Sequence, residues 1–303
     1  MPMIRTSSPV AAALAERRAV VALESTVLAH GLPRPRNLEV GRAMEQAVAD
    51  GGAVPATVGI VAGVPRVGLD AAQVERMAMT DGVLKLSTRD LAVPVARGTD
   101  GATTVAATMW LAGRAGVQVF ATGGIGGVHR GEDRDVSADI TELGRTPMVV
   151  VCAGAKSVLD LPGTREALET AGVLVVGYGT DELPAFYSAR SGIAVDVRVD
   201  DADQAAELWR AHRGLGLPGA LLLCVPPPAE QALDADEVEG AIADALAGAR
   251  REGIRGKEVT PYLLRAVAAA TGGRSLEANV ALLLNNARVG AAVAVAIARA
   301  DAA

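Results

Sequence analysis

Of the 29 basic residues in this chain only Lys85, Lys156 and Lys257 are lysines, and the rest are arginines. A background so biased puts arginine wherever a positive charge alone is wanted. The three lysines are therefore candidates for work a guanidinium cannot do, above all losing a proton and attacking an electrophilic carbon; plain drift is the competing account. Lys156 has the most suggestive setting, because it follows Val149-Val-Val-Cys-Ala-Gly-Ala155. The apolar run lowers the local dielectric and favours a neutral amine, while the small residues leave a substrate carbon room to approach. The bland alternative is a surface lysine leading into the next helix.

Other chemistry-bearing types cluster just upstream. Asp135-Val-Ser137-Ala-Asp139 places three oxygen-bearing side chains at alternate positions. They share a face if the backbone is extended, and Asp135 and Asp139 align if it is helical. Either arrangement can hold a hard divalent cation, with His129 adding a nitrogen, and Mg²⁺ or Mn²⁺ suits such a set better than zinc because no thiolate cluster is present. For the spacing alone, a solvated acidic loop is the simpler account. Gly123-Gly-Ile-Gly-Gly127 is neither a phosphate-loop pattern nor a dinucleotide fingerprint, and says only that backbone comes close to a ligand or a neighbouring strand. Glu24 stands before Ser25-Thr26 at a strand end, where a partly buried carboxyl can act as a general acid or simply accept a backbone N–H. His30 and His212 lack a distinctive setting and are read as structural.

The elements that must position these residues are legible as short β-rich runs alternating with helices. Strands are expected at Ala19–Leu23, Val83–Leu86, Val117–Ala121, Met148–Cys152, Val173–Tyr178, Ile193–Val199 and Ala220–Val225. A hairpin is expected within Thr57–Leu69 around Gly63-Val64-Pro65. Helices are expected from an Asn37 cap to Asp50, after Asp70, over Gly101–Gly113, Ala202–Arg213 and Ala235–Arg251, from Thr260-Pro261, and from a Ser275 cap. The chemistry-bearing residues fall at strand ends, the usual place for ligands in α/β sheets. The expected architecture is a three-layer α/β/α sandwich with a mixed central sheet, as one domain over 1–303.

Composition narrows the function classes. The net charge is −6 and the arginines are dispersed among 35 acids, so no basic face for nucleic acid is expected. Aromatics are only 2%, so the core must be built of Ala, Val and Leu. Cys152 and Cys224 lie in apolar runs and read as buried thiols. Residues 1–18 lack the apolar core of a signal peptide, and Val280–Ala300 is interrupted by Asn285, Asn286 and Arg288, which favours a packed helix over a membrane span. The expectation is a soluble cytoplasmic protein.

Several long motifs, in order, carry a resemblance. ALESTVLAHGLP from Ala22, the Lys85 strand, GTDGATTVAATM from Gly98, ATGGIGGVHRG from Ala121, DVSADITEL from Asp135, VVCAGAKSVLDLPGT from Val150 and GKEVTPYLL from Gly256 together resemble pseudouridine-5′-phosphate glycosidase, the family of the indigoidine-synthase-A-like proteins, over about residues 20–298. The resemblance implies reversible cleavage of the C–C glycosidic bond of pseudouridine 5′-phosphate to uracil and ribose 5-phosphate. It also implies an α/β/α homotrimer that uses Mn²⁺, with Mg²⁺ an alternative. By the same resemblance Lys156 is the nucleophile, forming an imine with ring-opened ribose, Glu24 is the proton donor, and Asp135 is the metal ligand. Lys85, Val105, Ser137, Ala138 and Asp139 match substrate contacts, His129 and Asn279 fall in pocket-lining motifs, and Thr104 stands at a helix start suited to the phosphate. The loop 130–134 is about two residues shorter than the family form. Two other readings stay open: a Schiff-base lyase acting on another sugar phosphate, and a non-catalytic sugar-phosphate-binding protein on the same scaffold.

Overall fold

The computed structural model describes residues 4–130, 135–254 and 259–302. Lys257 and most of the shortened loop 130–134 lie outside the described residues. Apolar four-residue runs that are buried on both faces form the middle of the sheet: β2 (Val20–Leu23), β9 (Val149–Cys152) and β13 (Leu221–Cys224), with β7 (Val119–Ala121) between the first two. β1 (Arg5–Thr6), β3 (Val54–Val61), β4 (Val64–Val67), β5 (Leu84–Leu86), β6 (Gly101–Thr103), β11 (Leu174–Tyr178) and β12 (Val197–Val199) complete it. The order is β1-β4-β3-β2-β7-β9-β13-β11-β12, with β6 also on β3 and β5 on β6. Pairing is parallel from β3 through β12 and antiparallel where β3 meets β4 and β6, so the sheet is mixed, as expected. A separate ribbon pairs β8 (Val128–His129) with β10 (Leu159–Asp160) antiparallel.

Helices cover both faces. α2 (Arg36–Asp50), α8 (Ala202–Gly214) and α11 (Arg274–Ala302) pack together, with α11 lying across β2, β7 and β9. α5 (Val105–Arg114), α6 (Ala138–Leu143) and α7 (Leu161–Thr170) form the facing layer. α1 (Ser8–Ala15), α3 (Ala71–Met79) and α4 (Ala92–Arg97) pad the β3 side, and α9 (Ala235–Glu252) packs on α10 (Val259–Ala270). α11 is long and apolar enough to cross a membrane, yet 56% of its most apolar window is buried inside this molecule. A Cβ on Gly290 would stand 3.1 Å from that of Ala121, so a small residue is what lets α11 lie close against β7. The β3–β4 hairpin turns at Ala62 and Gly63, both at positive φ (48° and 76°), the twist that matches flanking strands.

Four expectations are corrected. Gly101–Thr103 is a strand, because it pairs parallel with Leu84–Leu86 and antiparallel with β3; the helix starts only after Thr104. Asn37 lies inside α2, where its amide donates to the carbonyls of Leu28 (2.6 Å) and Ala78 (2.8 Å) rather than capping. Ser275 likewise sits within the last helix, and of Ile193–Val199 only Val197–Val199 is extended as a strand. Cys152 and Cys224 are free, buried, and opposite one another across β9 and β13.

Candidate active site

A cavity of about 450 Å³ opens beyond the carboxyl ends of β2, β7 and β9. Its wall includes all eleven site residues named with the family resemblance: Lys156, Glu24, Lys85, Thr104, Val105, His129, Asp135, Ser137, Ala138, Asp139 and Asn279. They arrive from six separate parts of the chain.

Glu24 follows β2 and is 7% exposed. Its two carboxylate oxygens accept hydrogen bonds from the hydroxyls of Thr26 and Thr122. Thr122 is held in turn: its carbonyl accepts from the Asn286 amide of α11 at 2.8 Å. The neighbouring Ser25 hydroxyl accepts from the Thr103 N–H (2.9 Å), and Thr103 donates to the carbonyl of Val58 (2.8 Å). This buried network fixes the Glu24 turn to the start of α5. Just past Thr103, Thr104 stands in the cavity wall, and its hydroxyl is buried without a hydrogen-bond partner.

Asp139 performs a job the spacing did not reveal. One carboxylate oxygen accepts from the Ala106 N–H in the first turn of α5 (2.9 Å), the other from the Gly126 N–H (2.8 Å). The carboxylate sits where the helix dipole favours it and joins α5 to the glycine loop. The N–H groups expected to meet a phosphate at a Thr103-Thr104 helix start are thus displaced by two residues, and that of Ala106 is taken. Asp135 and Asp139 share neither a strand face nor a helix face, since Ser137 caps α6 between them and accepts from the Asp139 N–H.

The glycine run brings backbone against side chains. A Cβ on Gly126 would stand 2.3 Å from the Ser137 hydroxyl oxygen, and one on Gly127 equally close to that of Thr164. On Gly124 it would lie 2.7 Å from the Phe186 ring, which faces the same cavity. Phe186 adopts φ 63°, a conformation that a bulky residue rarely takes and that surrounding structure must impose. Its N–H donates to Ala153 (3.0 Å) on the approach to Lys156.

Lys156 is half-buried, and its N–H donates to the carbonyl of Ile125 (3.1 Å). His129 lies near enough to both remaining lysines to feel them. Burial pushes its imidazole below the usual value; Asp135 opposes that, while Lys156 and Lys85 push the same way. The lowered value favours the neutral ring, the form that can accept a proton or ligate a cation. It stands 3.9 Å from the Asp135 carboxylate, which is half-exposed.

Among the described residues no group of three or more acidic, histidine or cysteine side chains forms a ready cation cage. With Asp139 and Glu24 already hydrogen-bonded, Asp135 beside His129 is the open donor pair. One carboxylate and one imidazole fit a hard cation that keeps waters and takes ligand oxygens, as Mg²⁺ and Mn²⁺ commonly do.

Several lining residues escaped the sequence reading. His30, taken as structural, stands in the wall from a turn of π-helix at Val27–Gly31. Arg89 and Ser87 join Lys85 and Thr104 at the polar side. His212 is structural as expected: it is buried, 2.8 Å from the Gly219 carbonyl, and stacked on Trp209.

The family model described as Indigoidine synthase A like protein matches residues 9–296. The chain belongs to that family. Among curated relatives, pseudouridine-5′-phosphate glycosidase of Roseiflexus sp. (strain RS-1) is 61% identical over 97% of this chain and 96% of its own. The protein of the same name from Chloroflexus aurantiacus is 57% identical over 97% and 99%. Among solved structures, a prealnumycin C-glycosynthase in complex with ribulose 5-phosphate has a TM-score of 0.92 at 46% identity, covering 100% of this chain and 99% of that one. An indigoidine synthase A-like protein from Thermotoga maritima has a TM-score of 0.89 at 35% identity, over 98% and 97%. The likeness to both solved structures thus runs over the whole of this fold, not a fragment.

Proposed function

We propose that this chain is a pseudouridine-5′-phosphate glycosidase that works through a lysine imine. The observation that carries the reading is the gathering of Lys156, Glu24, Lys85 and Asp135 into one strand-end cavity, in a chain whose full-length relatives bear that name. A C-nucleoside has no nitrogen or oxygen at the glycosidic position to protonate, so a paired-carboxylate scheme suits it poorly. An amine solves this. The Lys156 nitrogen bonds to C1′ as the C1′–O4′ bond breaks and O4′ takes a proton. The nitrogen lone pair then forms C1′=N while the electron pair of the C1′–C5 bond leaves with uracil, which is protonated at C5. Water releases ribose 5-phosphate and restores the amine.

Glu24, fixed by two threonine hydroxyls, is the residue to hold and deliver the proton. Lys85, Arg89 and the unpartnered Thr104 hydroxyl suit the phosphate. Asp135 and His129 would hold a divalent cation, which supplies positive charge to organise substrate oxygens. Phe186, Leu264 and Leu283 give the wall an apolar side against which a flat base can lie. The ribulose 5-phosphate held by the C-glycosynthase favours, as a second reading, Schiff-base chemistry on another pentose phosphate.

Borohydride decides. Treating the protein with ribose 5-phosphate and borohydride is expected to leave a pentose-phosphate adduct, absent in Lys156→Ala. An adduct that survives that substitution moves the nucleophile elsewhere. Uracil, ribose 5-phosphate and Mn²⁺ together are expected to yield the C-nucleotide, and no product with uracil while another acceptor reacts favours the second reading.

A further inference from the structure

Arg130 follows His129 directly, yet it is not among the residues lining the cavity. Its side chain is 25% exposed and all three guanidinium nitrogens are engaged. Nε donates to the carbonyl of Leu159 (2.9 Å), Nη2 to the carbonyl of Ser157 (3.2 Å) and to Glu239 (2.9 Å), and Nη1 to the other oxygen of Glu239.

Those two carbonyls belong to the tight turn that follows Lys156. The turn closes when the Leu159 N–H donates to the Lys156 carbonyl at 3.0 Å, and it ends in the ribbon where Leu159 pairs with His129. The turn offers outward-pointing carbonyls, and a planar guanidinium fork meets both at fixed separation. Glu239 lies on α9, and α9 packs on α10, whose Leu264 lines the cavity. The same guanidinium therefore joins the lysine turn to the helix pair beside the site. Glu239 is largely exposed, and an ion pair of that kind adds little to global stability. What a three-acceptor clamp can supply is register.

We propose that Arg130 is a positioning residue: it fixes the Lys156 turn and docks α9 and α10 against it, so that the amine meets the sugar carbon in line. This rests on Lys156 being the nucleophile. Misplacement of a reacting group by about 1 Å can cost roughly 10²-fold in rate, and Arg130 acts at that scale without touching substrate.

The test measures the rate of borohydride-trapped adduct formation with ribose 5-phosphate, and its dependence on sugar concentration. In Arg130→Gln the maximal trapping rate is expected to fall roughly 10²-fold while half-saturation moves less than about three-fold. Arg130→Lys keeps the charge but cannot span three acceptors, and recovers only part of the rate. Glu239→Gln, which leaves both carbonyl contacts intact, is expected to fall between Arg130→Lys and the wild type. Guanidinium added at millimolar concentration is expected to restore part of the rate to Arg130→Ala. Wild-type trapping in Arg130→Gln, or an effect confined to half-saturation, overturns the inference. Should Arg130→Gln not fold, wild-type rates in both Arg130→Lys and Glu239→Gln do the same. A wild-type protein that traps nothing overturns the nucleophile reading itself, and this inference with it.

Discussion

Val20 begins β2 in the wall of one cavity, and Glu24, just past the end of the same strand, stands in the wall of another. The first, of about 560 Å³, opens at the amino ends of β2 and β7 between α8 and α11. The second, of about 450 Å³, is the candidate active site. Size therefore favours the wrong end, and polar chemistry separates them. The amino-end cavity carries Arg17, Arg18, Arg210 and Arg213, all exposed. Its polar groups answer one another: the Gln118 side-chain oxygen accepts from Trp209 (3.0 Å) and Arg213 (2.6 Å), and Arg18 pairs with Glu16. The carboxyl-end cavity has in its wall Thr104, whose buried hydroxyl is unpartnered, and a phenylalanine at positive φ. A ligand site shows itself by interactions the protein leaves incomplete.

The comparison breaks most sharply at Lys156. Replacing it with Ala is expected to lower kcat for cleavage of pseudouridine 5′-phosphate by roughly 10⁴-fold or more, with the substrate still bound, as for other lost nucleophiles. Steady-state assays with calorimetric binding check both halves; a variant that turns over within ten-fold of wild type would place the chemistry elsewhere. Next comes Glu24→Gln, whose amide oxygen can keep one threonine contact while its NH2 can only donate to the other hydroxyl, and which cannot supply an acidic proton. Turnover is expected to drop roughly 10²- to 10⁴-fold while the borohydride adduct still forms.

Gly126→Ala tests whether the glycine run serves geometry. Its Cβ would collide with the Ser137 hydroxyl and the Asp139 carboxylate, and overpacking of this kind costs about 1–3 kcal/mol. Because the Gly126 N–H anchors Asp139, lost stability in denaturant titrations should be accompanied by lost kcat. Stability loss with full activity would detach that loop from the site.

How much of this could be read from residues alone depends on how local each cause is. The strands of the sheet announced themselves because Val149–Cys152 or Leu221–Cys224 are buried on both faces and therefore continuously apolar. Lys156 was visible as a compositional exception. The nature of Gly101–Thr103 was not, since it is a strand only through partners in β3 and β5. The role of Asp139 was hidden for the same reason: its acceptor contacts reach 33 residues back to Ala106 and 13 to Gly126. Asn286 stood out as an amide in an apolar helix, but its contact with Thr122 is 164 residues distant. His30 reaches the cavity wall from a π-helical turn that nothing in its sequence neighbours marks.

The finest test sets one arginine against another. Arg213 and Arg130 both donate to neutral oxygens, the first to the Gln118 side chain in the amino-end cavity, the second to peptide carbonyls beside Lys156. If incompleteness marks function, the two must respond differently to the same loss. Arg213→Ala leaves Gln118 still bonded to Trp209, and the guanidinium it removes is exposed. The Tm is therefore expected to move by no more than about 2 °C, since surface substitutions of this kind seldom exceed a few tenths of a kcal/mol. kcat/KM should stay within about two-fold of wild type, because among the described residues no side-chain contact of Arg213 leads to the lysine turn. A ten-fold fall in kcat/KM on losing Arg213 would mean that the amino-end cavity communicates with the chemistry along β2 and β7, and the separation drawn between the two ends of the sheet would not hold.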